Sequence, residues 1–338
     1  MKVDDFDYQL PEGLIAQHPV EPRDHARLMV LHRDSGTLEH RRFYELPRYL
    51  REGDVLVVNE SKVFPARLLG RRPSGGRVEL LLLRRLEGDL WEALARPGRR
   101  VRPGERLYFG GGELTCEVVE RRKDGKRVVK FSGDLEAIRR FGQVPLPPYI
   151  RRPPVPEDEE RYQTVYAKVE GSVAAPTAGL HFTEELLSKL REEGVKIVPV
   201  VLHVGPGTFR PVEGELSDHS MEQEYYEVTD KAAEVINEAR GRGGRVVAVG
   251  TTSVRVLETV TDGEGRVRPG SGWTELFIYP PYRFKAVDVL ITNFHLPRST
   301  LLMLVAAFAG RRRVLEAYGE AVRLGYRFYS YGDAMLII

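Results

Sequence analysis

The sequence predicts an α/β protein into which a small antiparallel β domain is inserted, and three observations support this fold class. Beyond residue 160, apolar strands alternate with amphipathic helices, which is typical of a largely parallel sheet flanked by helices. Residues 66–152 instead consist of short strand-like runs separated by Gly-Gly, Pro-Gly and Asp-Gly, which is typical of a small antiparallel barrel. Prolines crowd residues 143–160, where we place the return from the insert.

The composition is that of a folded protein without membrane spans. Hydrophobic residues make up 42% of the 338 residues, which excludes a disordered chain. The longest apolar run, Leu301–Ala309, is too short for a bilayer, which requires about 20 residues. The single cysteine, Cys116, excludes a disulfide framework within one chain. Since the N-terminus shows no signal-peptide pattern, we expect a soluble cytoplasmic protein, and we expect it to be a monomer.

The N-terminal part of the chain begins the α/β domain. Its early prolines exclude a long helix. Arg27–Leu31 is strand-like, and Asp54–Val58 has the short apolar run of a buried strand. We therefore assign residues 1–65 and 153–338 to one discontinuous α/β sandwich domain, and residues 66–152 to the inserted β-barrel domain.

Charge is strongly segregated between these two regions. Residues 66–152 contain 21 Lys and Arg against 11 Asp and Glu, a net charge of +10, whereas the whole chain is +2 and the remainder is therefore −8. A basic region of this kind indicates a surface for a polyanion. A solvated, salt-bridged β surface is the alternative interpretation. The candidate residues for contact with nucleic acid are Arg71, Arg72, Arg121 and Arg122.

The C-terminal part predicts its helices and strands in a regular order. Thr183, Asp230 and Ser299 are placed to cap helices, because short polar side chains accept hydrogen bonds from the free amides at a helix start. The predicted helices are Thr183–Glu193, Asp230–Ala239, Thr252–Val260, Thr300–Ala309 and Val314–Val322, and the predicted strands are Val195–Val204, Arg245–Val249 and Asp288–Thr292.

Polar or glycine-rich loops follow four of the predicted strands. In open α/β sheets, ligands bind beyond the carboxyl ends of parallel strands. We therefore expect these loops to form one site. The four loops are Asn59–Ser61, His203–Thr208, Gly250–Ser253 and Thr292–His295.

A further loop, GSVAAPTAGLHFT (171–183), brings His181 to the start of a helix. Its small residues let backbone amides approach a ligand, and we expect Gly179 to permit a turn that other residues resist. His181 is a candidate general base, because an imidazole titrates near neutral pH. The alternative is a structural histidine, and the same two interpretations apply to His203 and His295.

Several known site motifs are absent from the sequence. There is no Gly-Lys-Ser/Thr phosphate-binding loop and no Gly-x-Ser-x-Gly nucleophile elbow. The segment GPGTFR lacks the third glycine of a dinucleotide fingerprint. The histidines do not have the helical spacing of a metal-binding pair, so we predict no metal site.

Eight segments resemble one family, the S-adenosylmethionine:tRNA ribosyltransferase-isomerases of queuosine biosynthesis. They span essentially the whole chain in the order FDYQLPEGLIAQHP, VVNESKVFPARL, RYQTVYA, GSVAAPTAGLHFT, LHVGPGTFRPV, AVGTTSVRVLE, ITNFHLPRSTLLMLVAAFAG and YRFYSYGDAMLI. The resemblance implies a β-barrel domain inserted into a discontinuous α/β domain. It also implies transfer and isomerisation of the ribosyl moiety of S-adenosylmethionine onto 7-aminomethyl-7-deazaguanine at the tRNA wobble position. The products would be epoxyqueuosine-tRNA, adenine and methionine.

The same resemblance implies roles for individual residues. S-adenosylmethionine would be the ribosyl-donor substrate, with no other cofactor, and a base would remove a ribose C5′ proton beside the sulfonium. We rank His181 first as that base, followed by His203 and His295. Glu224 is a candidate for the counter-charge of the sulfonium or for a second base. The residues expected to position the substrate are Thr177, Gly205, Gly207, Thr208, Thr251, Thr252 and Asn293, and the basic insert is expected to hold the anticodon arm of the tRNA.

The chain departs from the family pattern in two segments, and in the first of them, Ser74-Gly75-Gly76 in place of the frequent Thr-Gly-Gly, the hydroxyl is retained. The family usually reads His-x-Met-His-x-Glu, whereas HSMEQE (219–224) has Glu222 in place of the second histidine. Two other interpretations stay open. The first is a tRNA-binding protein without catalysis, and Glu222 in place of the histidine is the only feature that supports it. A methyltransferase would also use S-adenosylmethionine, but its usual glycine-rich loop followed by an acidic strand end is not evident.

Overall fold

A computed structural model describes residues 1–209, 212 and 214–338, and the structural statements below refer to these residues. The strands are β1 (Arg27–Leu31), β2 (Leu38–Arg42), β3 (Val55–Asn59), β4 (Ser61–Val63), β5 (Arg67–Arg71), β6 (Arg77–Arg85), β7 (Leu90–Arg96), β8 (Arg106–Phe109), β9 (Leu114–Arg121), β10 (Arg127–Phe131), β11 (Gly142–Gln143), β12 (Val169–Ser172), β13 (Lys196–Leu202), β14 (Glu224–Val228), β15 (Val246–Val249), β16 (Gly270–Thr274), β17 (Val289–Asn293) and β18 (Ala334–Ile337). The α-helices are α1 (Leu135–Phe141), α2 (Asp158–Arg161), α3 (Glu184–Glu192), α4 (Asp230–Gly241), α5 (Gly250–Val260), α6 (Thr300–Ala309) and α7 (Arg311–Arg323).

The larger sheet contains nine strands in the order β16-β14-β13-β3-β15-β17-β18-β1-β2. Its four adjacent strands β13, β3, β15 and β17 are mutually parallel. Antiparallel strands extend the sheet on both sides. The predicted α/β fold with a largely parallel central sheet is therefore confirmed, and the carboxyl ends of the four parallel strands meet at one edge.

Helices cover both faces of this sheet. Alternate residues of β3 enter different cores, because side chains point to opposite faces along a strand. Val55 and Val57 pack in the core formed with α4 to α7, while Leu56 and Val58 pack in the core formed with α3. Burial on both faces explains why this strand is a continuous apolar run rather than an alternating one.

The helix caps follow the sequence closely. Thr183 and Ser299 cap α3 and α6 as predicted, and each side-chain oxygen accepts a hydrogen bond from the amide three residues later, at 3.1 and 3.2 Å. The prediction for α4 was wrong by one residue, because Thr229 is the cap and accepts from the amide of Ala232 at 3.2 Å. Asp230 is instead the first helical residue, where the helix dipole favours its carboxylate. Helix α5 begins two residues earlier than predicted.

The inserted region forms the predicted barrel. Six antiparallel strands, in the order β5-β6-β7-β10-β9-β8, close through the pairing of β5 with β8, and β11 adds to the edge of β5. Leu68, Leu80 and Trp91 are among the residues that fill the core. Closure depends on Gly70, since a Cβ there would lie 2.4 Å from the carbonyl oxygen of Tyr108.

The proline-rich return segment packs between the two regions. Val144 and Ile150 join Tyr162 in a small apolar cluster that is separate from the main cores. Two hydrogen bonds from Arg152 to Asp158, at 2.6 and 2.7 Å, fix the end of the segment. The domain boundaries at residues 65/66 and 152/153 stay a prediction. None of the described helices has the length and apolar character needed to span a membrane.

Candidate active site

The loops at the carboxyl ends of the four parallel strands are joined by side-chain hydrogen bonds. Asn59, at the end of β3, accepts from the amides of Ser61 and Leu202, both at 3.1 Å, and donates to the Leu202 carbonyl at 3.0 Å. Thr177 donates its hydroxyl proton to Oδ1 of Asn293, at the end of β17, with a distance of 2.9 Å. These contacts link β3 to β13, and β17 to the loop that precedes α3.

Helix α5 begins beside the contact between Thr177 and Asn293. Its first residue, Gly250, has φ +84° and faces Ala178, since a Cβ on this glycine would lie 3.5 Å from that residue. The side chains of Thr251 and Thr252 are nearly buried. The Thr252 hydroxyl has no hydrogen-bond partner among the described residues. The structure thus brings four of the predicted substrate-positioning residues to one edge of the sheet.

A buried carboxylate holds the loop that follows β13. Oε1 of Glu224 accepts from the amide of Gly205 at 2.8 Å and from the hydroxyl of Thr208 at 2.9 Å. Its other oxygen pairs with Arg255 on α5, and both members of this ion pair are buried. Gly207 packs against Glu222, since a Cβ on the glycine would lie 2.9 Å from that side chain. Arg210 and Pro211, which continue this sequence motif, lie outside the described residues.

Two adjoining cavities of about 240 and 370 Å³ lie between the barrel and the α/β domain, and we call them together the interdomain cleft. Taken together, the two cavities fall within the size of ligand sites, which occupy about 300–1,000 Å³. The smaller cavity reaches Gly205 and Glu224. Both cavities are lined by Leu83 and Arg84 of the barrel and by Gly171, His203, Tyr225 and Trp273 of the α/β domain.

His203 is the predicted catalytic histidine that faces this cleft. Its ring lies almost parallel to that of Tyr225, with centroids 5.7 Å apart. Nδ1 of His203 is buried and has no hydrogen-bond partner among the described residues. Burial lowers the pKa of His203, and the nearby Glu227 carboxylate opposes that shift. The imidazole is therefore neutral at pH 7, with one ring nitrogen uncommitted.

His181 has different surroundings. Its two ring nitrogens lie 3.1 Å from the carbonyl oxygen of Ala178 and 3.0 Å from that of Gly332, and its ring stacks on Phe43. It lines a separate cavity of only about 20 Å³. Burial lowers the pKa of His181, although the two carbonyls favour its charged form. Both nitrogens therefore face groups of the fold itself.

The reason predicted for Gly179 in the same loop was wrong. This glycine is not at positive φ. It is required by packing, because a Cβ at this position would lie 2.0 Å from the Tyr166 hydroxyl oxygen and 2.8 Å from the Thr164 methyl group. Close approach of neighbouring side chains, rather than a special turn, accounts for the glycine.

His295 is enclosed by aromatic and hydroxyl groups. Its amide donates to the Tyr318 hydroxyl at 3.1 Å, and its ring nitrogens lie 3.4 Å from that same hydroxyl and from that of Thr292. Its carbonyl accepts a hydrogen bond from Tyr8. Burial lowers the pKa of His295 to about 3. This histidine therefore stays neutral through the physiological range and lies below the surface.

The predicted RNA-binding arginines divide into two kinds. Arg72 donates to Glu105 at 2.7 Å, and Arg122 pairs with the buried carboxylate of Glu92, so both are engaged within the barrel. Arg71 and Arg121 are exposed. Arg71 and Arg72 also line a cavity of about 1,050 Å³ on the barrel, together with Arg77, Arg96, Tyr108 and the glycines at 110–112.

Sequence reasoning missed several residues of the cleft. Arg255 follows Thr252 by one helical turn, which is a detectable spacing, but nothing local indicates its pairing with Glu224. Tyr225 and Trp273 lie on strands that the sequence analysis did not assign. Alternation of polar and aromatic residues in EYYEV was the available signal for the first of these strands.

The fold and the cleft define a class: a two-domain protein with an α/β sheet, an inserted basic barrel, and a polar site where the two meet. A profile of the family described as Queuosine biosynthesis protein matches residues 3–337. The chain belongs to this family, and the resemblance found in the sequence motifs is confirmed.

Similar proteins share the full length of this chain. An S-adenosylmethionine:tRNA ribosyltransferase-isomerase from Moorella thermoacetica is 62% identical over 344 residues, which cover 100% of both chains. The enzyme of the same name from Symbiobacterium thermophilum is 60% identical, again over 100% of both chains. The crystal structure of an S-adenosylmethionine tRNA ribosyltransferase from Thermotoga maritima is 45% identical and aligns over 99% of this chain and 100% of that chain, with a TM-score of 0.57. These relatives confirm the predicted enzyme class, a transferase.

Proposed function

We propose that this protein transfers and isomerises the ribosyl moiety of S-adenosylmethionine onto 7-aminomethyl-7-deazaguanine at the wobble position of tRNA. The products are epoxyqueuosine-tRNA, adenine and methionine. The observation that carries the proposal is the full-length match, at 62% identity, to an S-adenosylmethionine:tRNA ribosyltransferase-isomerase. The interdomain cleft supports it, because polar residues of the α/β domain face a basic barrel there.

The base that starts the reaction is His203 in this proposal. The sulfonium acidifies the neighbouring ribose C5′ protons, and a neutral imidazole with a free nitrogen can accept one of them. His203 lines the cleft, and its buried Nδ1 has no hydrogen-bond partner among the described residues. The contacts of His181 with two carbonyls argue against the first rank that the sequence motifs suggested for it. The low pKa of His295 and its enclosure argue against that residue as well.

Glu224 acts as a positioning residue rather than as a second base. Both of its oxygens are engaged, one by Gly205 and Thr208 and the other by Arg255. Protonation would break these contacts inside a buried pair. Its carboxylate therefore sets the shape of the loop beside His203, while Arg255 compensates its charge.

Substrate groups are held by the strand-end residues in this proposal. Thr177, Asn293 and Thr252 supply hydroxyl and amide groups at one edge of the sheet, which bind ribose or amino-acid groups without adding charge. The basic barrel binds the phosphates of the anticodon arm, with Arg71 and Arg121 exposed for that purpose.

The proposed reaction is tested by adenine release. Purified protein is incubated with S-adenosylmethionine and with tRNA that carries 7-aminomethyl-7-deazaguanine, and free adenine and epoxyqueuosine are quantified. Equimolar adenine and modified tRNA support the proposal. S-adenosylhomocysteine as the product would indicate a methyltransferase instead. RNA binding without turnover would indicate a binding protein.

A further inference from the structure

The interdomain cleft contains an aromatic array of His203, Tyr225 and Trp273, and the proposed reaction uses only His203 of these three. The ring of His203 lies at 23° to that of Tyr225, and the ring of Tyr225 meets the indole of Trp273 edge-on at 5.7 Å. From the barrel, the guanidinium of Arg84 lies over the indole, 5.2 Å from its centroid. The array is continuous because β13, β14 and β16 are neighbours in the sheet.

The exposure of Trp273 distinguishes it from the other tryptophan. Trp91 is 8% exposed and stacks on Phe64 in the barrel core, whereas Trp273 is 49% exposed beside the cleft. An indole left half in water forfeits apolar burial, and large aromatic side chains kept at the mouth of a cavity are typical of binding sites.

We propose that Tyr225 and Trp273 form a stacking site for a base of the RNA substrate, which enters the cleft unstacked from its neighbours. This inference rests on the proposed function. Proteins that bind single-stranded or looped RNA hold splayed bases on aromatic rings and on arginine planes, and Arg84 supplies such a plane.

The barrel side of the array favours an RNA base over the adenine of S-adenosylmethionine at this position. Arg84 forms an ion pair with Glu92 at 3.2 Å, which holds its guanidinium over the indole of Trp273. Arg84 and Lys126 line the cleft together with the carboxylates of Glu92, Glu222 and Glu224, so the local charge does not select the ligand. The inserted region as a whole has a net charge of +10, which attracts the phosphates that flank a base.

The array depends on Gly171, because a residue with a Cβ would clash with the His203 ring. Gly171 has φ +148°, which L-amino acids rarely adopt, and a Cβ on it would lie 2.7 to 3.0 Å from three atoms of the His203 ring. The ring therefore lies directly against the backbone of strand β12. This contact fixes the inner end of the aromatic array.

Intrinsic fluorescence provides a direct test, because the chain has only two tryptophans and one of them is buried. Titration with an anticodon stem-loop RNA should quench the emission of the parent protein through stacking on Trp273. The same titration of Trp273→Phe, in which only the 8% exposed Trp91 at the wall of the larger cavity emits, should show much weaker quenching. S-adenosylmethionine alone should leave the emission of the parent unchanged.

Affinity measurements complete the test. We expect Trp273→Ala and Tyr225→Leu to weaken stem-loop binding about 10- to 100-fold while S-adenosylmethionine binding is retained, and we expect Trp273→Phe to recover most of the loss. Tyr44→Ala removes a comparably exposed aromatic residue elsewhere and serves as the control.

Two results would overturn the inference: unchanged RNA affinity in both variants, or loss of affinity for S-adenosylmethionine instead of RNA. Adenine release by the parent is measured separately. A parent protein that binds RNA through Trp273 but releases no adenine would refute the proposed reaction and leave the stacking site supported.

Discussion

The cavity around His181 and the interdomain cleft around His203 differ in how their polar groups are used. In the first, both imidazole nitrogens face backbone carbonyls, and the enclosed space is about 20 Å³. In the second, one nitrogen of His203 is uncommitted, and the adjoining space is at least tenfold larger. Burial lowers the pKa of both histidines, so desolvation by itself does not distinguish a structural histidine from a reactive one. The two histidines are distinguished by the ring nitrogen that has no hydrogen-bond partner and by the cavity beside the ring.

The barrel shows the same distinction among its arginines. Arg72 and Arg122 are engaged by carboxylates of the barrel, whereas Arg71 and Arg121 project into solvent. Residues whose hydrogen-bonding capacity is satisfied inside the fold contribute to stability. Residues with hydrogen-bonding groups that the fold does not use are available to a substrate. Three single substitutions, a pH profile and two double variants test this distinction, from the largest expected effect to the smallest.

His203→Ala should have the largest effect on catalysis. Loss of a general base costs about 10²- to 10⁴-fold in rate, and we expect adenine release in single turnover at saturating RNA to fall in that range. Affinity for S-adenosylmethionine and the unfolding midpoint should change little. A rate within threefold of the parent would remove His203 from the role.

The pH profile of the parent provides a second readout for His203. The base is active when neutral, and the pKa of His203 lies below its usual value of 6.5. Activity is therefore retained above pH 6.5 and lost as the pH falls through that lower pKa. An acid limb centred above pH 7 would contradict the assignment.

Glu224→Gln should mainly reduce stability. The substitution leaves the buried guanidinium of Arg255 without its counter-charge, which costs about 3–5 kcal/mol in the free energy of unfolding. Urea unfolding measures this loss, with Glu227→Gln on the same strand as the matched control. A fully stable variant without activity would instead show that Glu224 reacts directly.

His181→Ala should destabilise the protein without abolishing turnover. Removal of a buried ring that packs on Phe43 leaves a void and an unpaired carbonyl, which together cost about 2–4 kcal/mol. His18→Ala, at an exposed position, should change the unfolding free energy by less than about 0.5 kcal/mol. If folded His181→Ala protein loses adenine release more than 100-fold, the comparison between the two histidines fails.

The double charge reversals of the barrel arginines should have the smallest effect. Replacing Arg71 and Arg121 with Glu should weaken RNA binding about tenfold and lower the salt dependence by about one unit of slope for each phosphate that the variant no longer binds. Thermal stability should be retained. Charge reversal of Arg72 and Arg122 should mainly lower the unfolding temperature, because it breaks the ion pairs with Glu105 and Glu92. If both double variants stay folded and lose the same RNA affinity, the ion pairs of Arg72 and Arg122 do not prevent these arginines from binding RNA.

The sequence by itself determined the main helices and strands of the protein and its fold class. Apolar run length predicted the buried strand β3, and hydroxyl side chains predicted the starts of α3 and α6, because these signals act within one turn of helix or one strand. Glycine-punctuated short runs predicted the barrel for the same reason. Long shared motifs predicted the family.

Only the tertiary structure decided which polar groups remain free. The pairing of Glu224 with Arg255 spans 31 residues, the His203 ring stacks on a residue 22 positions later, and the carbonyl that faces Nε2 of His181 belongs to Gly332. The sequence around each residue is silent on such contacts, because strand order and domain packing bring the partners together. Hydrogen-bond satisfaction is a property of the assembled neighbourhood, and in this protein it distinguishes His203 from His181.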